Sequence, residues 1–478
     1  MEFTELEIQR LFGSEAAEEE EPDRLKQYYF KNKIYNQVIT DLPLRILVGH
    51  KGIGKSALFR IAIDEETEQK RLTILIKPND IADIGTETDD FLKLIQNWKI
   101  GITEIIASKA LESFGIPFDG FRSQLNNYGG KLLSFLSSTI KVDKFNLTPA
   151  KREILSNFLK DNKISIYLDD LDRGWRGRPQ DIQRISALLN AIRDLASENR
   201  GIYFRVGLRS DVYYLSRTSD ESTDKTESSV IWYSWTNHEI LVLLVKRITS
   251  FFDEDIDEKE LLKRHQSHLM EYLSKVIDDK FTGKGHWENA PMYRVLMSLI
   301  RKRPRDLVKL LTLAARDANM NDSEIISTAN LESIFENYSQ GRLQDTINEY
   351  RSELPDIERL ILGMKPTTKE RKTSEGYVYP TDKLLKKIRN IEEQGKFKWA
   401  NGNIATDKEL AAFLYKINFI TARKKENSGI NRKYFEENKY LSNKFVDFGY
   451  EWEIHPAYRW ALQPDDPATI FRELELSI

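Results

Sequence analysis

Gly49-His-Lys-Gly-Ile-Gly-Lys-Ser56 follows the apolar run Leu44–Val48 and opens the helix-patterned stretch Ser56–Ile63. This is GxxxxGK[ST] in the strand-to-helix context that gives the motif its meaning. The glycines let successive backbone N–H groups turn inward around anionic oxygens, where a side chain at Gly52 or Gly54 would collide with phosphate. The helix that follows aims its positive end at the same anion. Lys55 is expected to reach the β- and γ-phosphates and to serve catalysis, and the Ser56 hydroxyl to ligate Mg²⁺. Gly49, Lys51, Gly52, Ile53, Gly54 and Ala57 complete the expected phosphate-binding set around Lys55 and Ser56.

A second stretch supplies the matching acids. Ile164-Ser-Ile-Tyr-Leu-Asp-Asp-Leu-Asp-Arg173 reads as a buried strand that ends in carboxylates. Asp169 at the strand end is the expected metal-side acid, and Asp170 the residue expected to orient and deprotonate the attacking water. Leu72–Ile76 and Ile202–Leu208 read as further strands, and Asp181–Ala196 as a helix between them. Strands alternating with helices predict an α/β fold with a doubly wound parallel sheet. More than a hundred residues separate the two motifs, so about 80–160 reads as a helical insertion. Arg209, after the fourth strand, could sense the γ-phosphate or form a salt bridge to Asp211 or to an acid of the third strand. Arg301-Lys-Arg-Pro-Arg-Asp306 opens a later helix with Pro304 near its start. Arg303 or Arg305 could reach nucleotide from there, with Arg305 taken as the binding residue.

Outward from this core, the chain divides into an acidic lead-in (1–40), the nucleotide core (41–235), a helical lid (236–345) and a last domain (346–478). The lid reads as helices over Ile240–Phe251, Glu258–Val276, Met292–Arg301 and Asp306–Ala318, followed by a linker-like stretch at Met364–Pro380. A helix around Leu410–Ile417, a basic loop and the strand-like Tyr450–Ile454 suggest a winged-helix-like module. Residues 1–24 carry nine acidic and two basic side chains, and 365–444 carry nineteen basic against ten acidic. In the second block Arg423, Lys424, Lys425, Arg432, Lys433, Lys439 and Lys444 flank Tyr434, Phe435 and Tyr440. That composition suits either a solvated face or a phosphate-binding one.

The 478 residues bear a net charge of −3 and no cysteine, which excludes disulfide scaffolds, thiol catalysis and iron–sulfur clusters. The six histidines show no HExxH spacing, and no GxSxG elbow is present. The longest wholly apolar run is Ile240–Val245, far below the ~20 residues of a membrane span. The acidic N-terminus is unlike a secretion signal. A multidomain cytoplasmic protein with no membrane association is the expectation.

Gly49–Leu58 and Tyr167–Trp175 resemble the KAP and STAND-related branch of P-loop NTPases. So do Leu208-Arg-Ser-Asp-Val212, Trp235 with the leucine-rich helix to Arg247, and Arg303-Pro-Arg-Asp-Leu307. Phe12-Gly13, the acidic stretch and Tyr29-Phe30 bring the chain nearer to a family of soluble bacterial P-loop ATPases encoded near mobile-element and antiphage-defence genes. The resemblance implies ATP as substrate, Mg²⁺ as cofactor, homo-oligomerisation, a protein effector and a conformational switch. KAP proteins usually carry inserted membrane helices, and this chain has none, so membrane association is not carried over. The alternative is a DNA-dependent ATPase that holds nucleic acid through its basic C-terminal segment. A nucleotide-binding scaffold and a substrate kinase are less consistent with these residues.

Overall fold

The computed structural model describes all residues except 1, 16–18, 85–89, 117–131, 141–146, 220, 373–375, 427–428, 439–440, 442–448, 464, 466–469, 472–473, 475 and 477–478. It divides into two compact units. One comprises 31–51 and 55–233, the other 1–30, 52–54 and 234–478.

The first unit is built on five strands: β1 (Leu44–Gly49), β2 (Leu72–Ile76), β3 (Ile164–Leu168), β4 (Ile202–Arg209) and β5 (Val230–Trp232). They form one parallel sheet in the order β2-β3-β4-β1-β5. Every residue of β3 is buried, Ser165 and Tyr167 included, as in a parallel strand covered on both faces. Helices Phe91–Ser113 and Pro179–Glu198 pack on each other and contribute Trp98, Ile102, Ile106, Leu188, Leu189 and Ile192 to the core. Pro179 sits in the first turn, where its missing N–H costs nothing. Because β4 lies between β1 and β3, the carboxyl ends carrying Gly49, Arg209 and Asp169 come side by side.

The second unit is mainly helical. Helix Asn237–Phe251 starts at a Thr236–Glu239 capping box, and helices Met292–Leu299, Pro304–Met320 and Thr328–Tyr350 follow. Arg301 and Asp306 form a buried two-pronged ion pair (Nε–Oδ2 2.7 Å, Nη2–Oδ1 2.9 Å), and Arg342 adds a third contact to Asp306 at 2.6 Å. Burial alone would push the Asp306 carboxyl up, but Arg301 and Arg342 outweigh it and hold it well below the usual carboxylate range.

Beyond residue 375 come β6 (Val378–Tyr379), helices Thr381–Glu392 and Asp407–Lys416, then β7 (Ile420–Glu426), β8 (Gly429–Lys433) and β9 (Glu451–Ile454). The strands make an antiparallel sheet in the order β8-β7-β9-β6.

Three expectations need correction. Glu258–Val276 is not one helix: it breaks at extended Arg264, and His265 then caps the next helix by accepting from the Ser267 N–H. The stretch 364–380 is no free linker, since Tyr377, Val378 and Tyr379 are buried and pair with β9. The basic segment is not a continuous charged face either. Arg423, Arg432, Tyr434 and Phe435 are buried, and Arg432 and Arg459 both bond Glu453. Lys439, Tyr440 and Lys444 lie outside the described residues. No helix among the described residues is long and apolar enough to cross a membrane.

Candidate nucleotide site

β1 delivers the chain to the Gly49–Ser56 loop, and helix Lys55–Glu68 begins as the loop closes. Gly52 and Gly54 have φ of 77° and 107°, conformations that side-chain-bearing residues rarely adopt. The Lys55 ammonium donates to the Gly49 carbonyl at 2.8 Å and the His50 carbonyl at 3.2 Å, which keeps it within the curve of the loop. Ser56 is the second residue of the helix, where backbone N–H groups lack intrahelical acceptors. Lys51, Ile53 and Ala57 fall in the same loop and first turn, as the motif requires. His50 is buried, and its Nδ1 shares a hydrogen bond with Ser210 Oγ at 3.0 Å, tying the loop to the end of β4.

The acids separate into different environments. Asp169 leaves β3 with its carboxylate over Gly207 of β4, so close that a Cβ at Gly207 would lie 2.9 Å from Oδ1. A bare glycine at this position of the neighbouring strand leaves room for the carboxylate. Asp170 takes a left-handed φ of 58°, tolerable for Asp, and turns outward. Its side chain is 54% exposed and pairs with Arg173 at 3.3 Å.

Asp172, two residues on, is only 11% exposed and lies 3.1 Å from Arg209 Nη1. Burial raises its carboxyl pKa, opposed first by Arg209 and then by the Lys55 charge. Arg209 also grips Asp211 through Nε at 3.0 Å and Nη2 at 2.5 Å. Both structural partners anticipated for Arg209, Asp211 and an acid following the third strand, are therefore present. Lys55, Asp169, Asp172, Arg209 and Asp211 follow from the ends of adjacent strands or the loop after β1, and Asp170 is the more exposed of the acids after β3 that form ion pairs.

The two lid arginines also part. Arg303 is buried against Glu349 at 3.4 Å, which removes it as a mobile nucleotide-contacting group. Arg305 lies on the phosphate loop. Its N–H approaches the Gly52 carbonyl at 3.4 Å, and its side chain covers Gly52 closely enough that a Cβ there would sit 3.0 Å from Arg305 Cβ. Trp235 fastens the same loop segment by donating its indole N–H to the Ile53 carbonyl at 2.8 Å. Gly207, Asp172 and the His50–Ser210 link were not assigned roles from the sequence. The only hint was the spacing of a third acid in Asp-Asp-Leu-Asp.

These residues fit Mg²⁺ and a nucleoside triphosphate. The loop has a glycine cradle, a lysine within its curve and a hydroxyl at the helix start, with a carboxylate on a nearby strand end. Ser56 and Asp169 would hold the ion, which supplies charge neutralisation on phosphate oxygens.

Residues 239–347 match the family of the FunZ-associated C-terminal helical domain, FunZ_C. The chain is 23% identical to the transposon gamma-delta 80.3 kDa protein of Escherichia coli (strain K12), over 98% of this chain and 70% of that protein. Among solved structures, the Walker-type ATPase PABY2304 of Pyrococcus abyssi aligns at 15% identity and a TM-score of 0.41, covering 91% of this chain and 96% of that one. The ORC2 protein of Aeropyrum pernix, solved as ADPNP–ADP complexes, aligns at 12% identity and a TM-score of 0.39, covering 89% and 87%.

Proposed function

We propose that the protein is a Mg²⁺-dependent ATPase that works as a conformational switch. The observation that carries this reading is the placement of the Gly49–Ser56 loop at the end of β1, with Asp169, Asp172 and Arg209 following from β3 and β4. Backbone N–H groups of the loop and the Lys55 ammonium bind and orient the β- and γ-phosphates. Asp172 accepts the proton of the attacking water, a role that its burial suits better than the exposed Asp170. Arg209 holds that carboxylate in position and offers a guanidinium towards the γ-phosphate. Arg305, seated on Gly52, reports phosphate occupancy to helix Pro304–Met320.

Homo-oligomerisation and an effector protein are part of the proposal, on the resemblance of the nucleotide motifs to KAP and STAND-related switches. Similarity along nearly the whole chain to a transposon protein favours a mobile-element setting. Antiphage service is the narrower form of that expectation. DNA as a partner is favoured by one observation: Lys424 and Lys425 are exposed at the outer end of the β7–β8 hairpin.

The test is steady-state ATP hydrolysis with Mg²⁺. Lys55→Ala is expected to lower turnover by about 10²-fold or more, since it removes a positive charge on the reacting phosphates. Equal turnover in the wild type and Lys55→Ala would overturn the assignment.

A further inference from the structure

The acidic start of the chain has a defined place in the helical unit. Helix Glu5–Phe12 opens with a Thr4–Glu7 capping box, buries Ile8, Leu11 and Phe12, and packs on helix Pro304–Met320. Glu5 grips Arg316 of that helix with two bonds, at 2.7 Å and 2.8 Å. After Gly13 the chain turns back, and Glu20 fastens the turn by accepting from the Ser14 N–H at 2.7 Å and the Tyr28 hydroxyl at 2.8 Å. The turn carries the Glu15 carbonyl onto Arg305, whose Nε donates to it at 3.0 Å. The Glu15 carboxylate lies 3.9 Å from Lys309, one turn further along the helix. Arg305 is the same residue that covers Gly52 of the phosphate loop.

We infer that the N-terminal arm is an intramolecular latch on Arg305, released when triphosphate binds. This rests on the reading that ATP binds at the Gly49–Ser56 loop. The Glu15 carbonyl gives the guanidinium an uncharged acceptor. A phosphate gives it a fully charged one with matching two-pronged geometry, which makes the stronger bond. A two-pronged bond to phosphate through Nε and one Nη takes Arg305 from Glu15, and in that geometry ATP and the docked arm compete. Linkage then makes the effect reciprocal: whatever loosens the arm tightens ATP by the same factor that ATP loosens the arm.

The ion pair between Glu5 and Arg316 is exposed and lies eleven residues along the helix from Arg305, so it is the place to perturb. Binding of a non-hydrolysable ATP analogue to the full chain is measured by titration, with trypsin cleavage at Arg10 as a second readout. Glu5→Arg is expected to tighten the analogue about two- to fivefold, the scale of one exposed ion pair. The charge swap Glu5→Arg with Arg316→Glu should return affinity to the wild-type value. In an Arg305→Ala background Glu5→Arg should change nothing. In the wild type the analogue should speed cleavage at Arg10. Affinity unchanged or weakened by Glu5→Arg, with Lys55-dependent binding intact, would overturn the latch and leave the nucleotide reading standing. Absence of Lys55-dependent binding would overturn that reading, and the latch with it.

Discussion

Two aspartates separated by one leucine have opposite environments, and a single backbone angle decides which is which. Asp170 adopts the left-handed region and leaves its carboxylate half exposed beside Arg173, while Asp172 is buried against Arg209. A proton acceptor in hydrolysis gains from burial, because desolvation raises its basicity. Asp172→Asn is therefore expected to lower kcat by about 10²–10⁴-fold, and Asp170→Asn to change it by less than about threefold. Activity needs Asp172 ionised, so the rate should fall as pH drops through a pKa raised above the ordinary 3.8. That acid limb should be lost in the residual activity of Asp172→Asn. If Asp170→Asn proves the more damaging variant, the proton acceptor has been misassigned. The loop itself was legible because its constraint is local: glycines, a lysine and a hydroxyl at fixed spacing after an apolar run. The choice between Asp170 and Asp172 depends on a turn and on burial by distant residues, which spacing does not encode.

At the scale of elements, the basic C-terminal segment shows how charge in sequence differs from charge on a surface. Arg423 and Arg432 face each other across β7 and β8, and the chain returns through β9 to place Glu453 beside Arg432. Arg459 supplies a further contact to the same carboxylate. Glu453 lies twenty-one residues beyond Arg432, so no local window over the basic run could have revealed the pairing. Arg303 and Arg305 make the same point on a helix start: two residues apart, one is buried against Glu349 and the other lies on Gly52.

Burial acts to raise the Glu453 carboxyl pKa, but Arg432 and Arg459 overcome it and hold the pKa at about 2, against 4.5 for a free glutamate. The unfolded chain therefore binds more protons than the folded one between these values, and stability rises with pH through that window. The contribution is complete above about pH 4.5 and is lost as pH falls to about 2, with a scale of about 3 kcal/mol. Glu453→Gln should destabilise the chain by about 3 kcal/mol in urea unfolding at pH 7, and the gap should close as pH falls towards 2. A gap that does not vary with pH would mean that packing, not charge, sets the cost.

For the whole molecule, the question is what the C-terminal sheet can offer to a partner such as DNA. Helix Asp407–Lys416 is poorly suited to enter a groove. Half of its residues are buried, with Phe413 packed on Tyr350 and Trp399, and its first turn carries Asp407 and Glu409. Lys416 is held by Glu353 at 2.6 Å. The β7–β8 hairpin, by contrast, keeps Lys424 and Lys425 exposed while Arg423 and Arg432 are buried. Two lysines on a strand pair make phosphate contacts that carry no base information. If the protein binds duplex DNA, binding should therefore be insensitive to sequence and fall steeply with salt. Lys424→Ala with Lys425→Ala should weaken all duplexes alike and reduce the slope of log K against log salt by about 2. Fluorescence anisotropy with two unrelated duplexes at several salt concentrations measures both quantities. A strong preference for one sequence, or a slope unchanged in the double variant, would exclude this hairpin as the DNA-binding surface. ATP turnover in the same double variant separates the two readings of the molecule. A switch addressed to a protein partner keeps its basal and DNA-supplemented rates equal, whereas a DNA-dependent ATPase loses its DNA-stimulated increment along with the lysines.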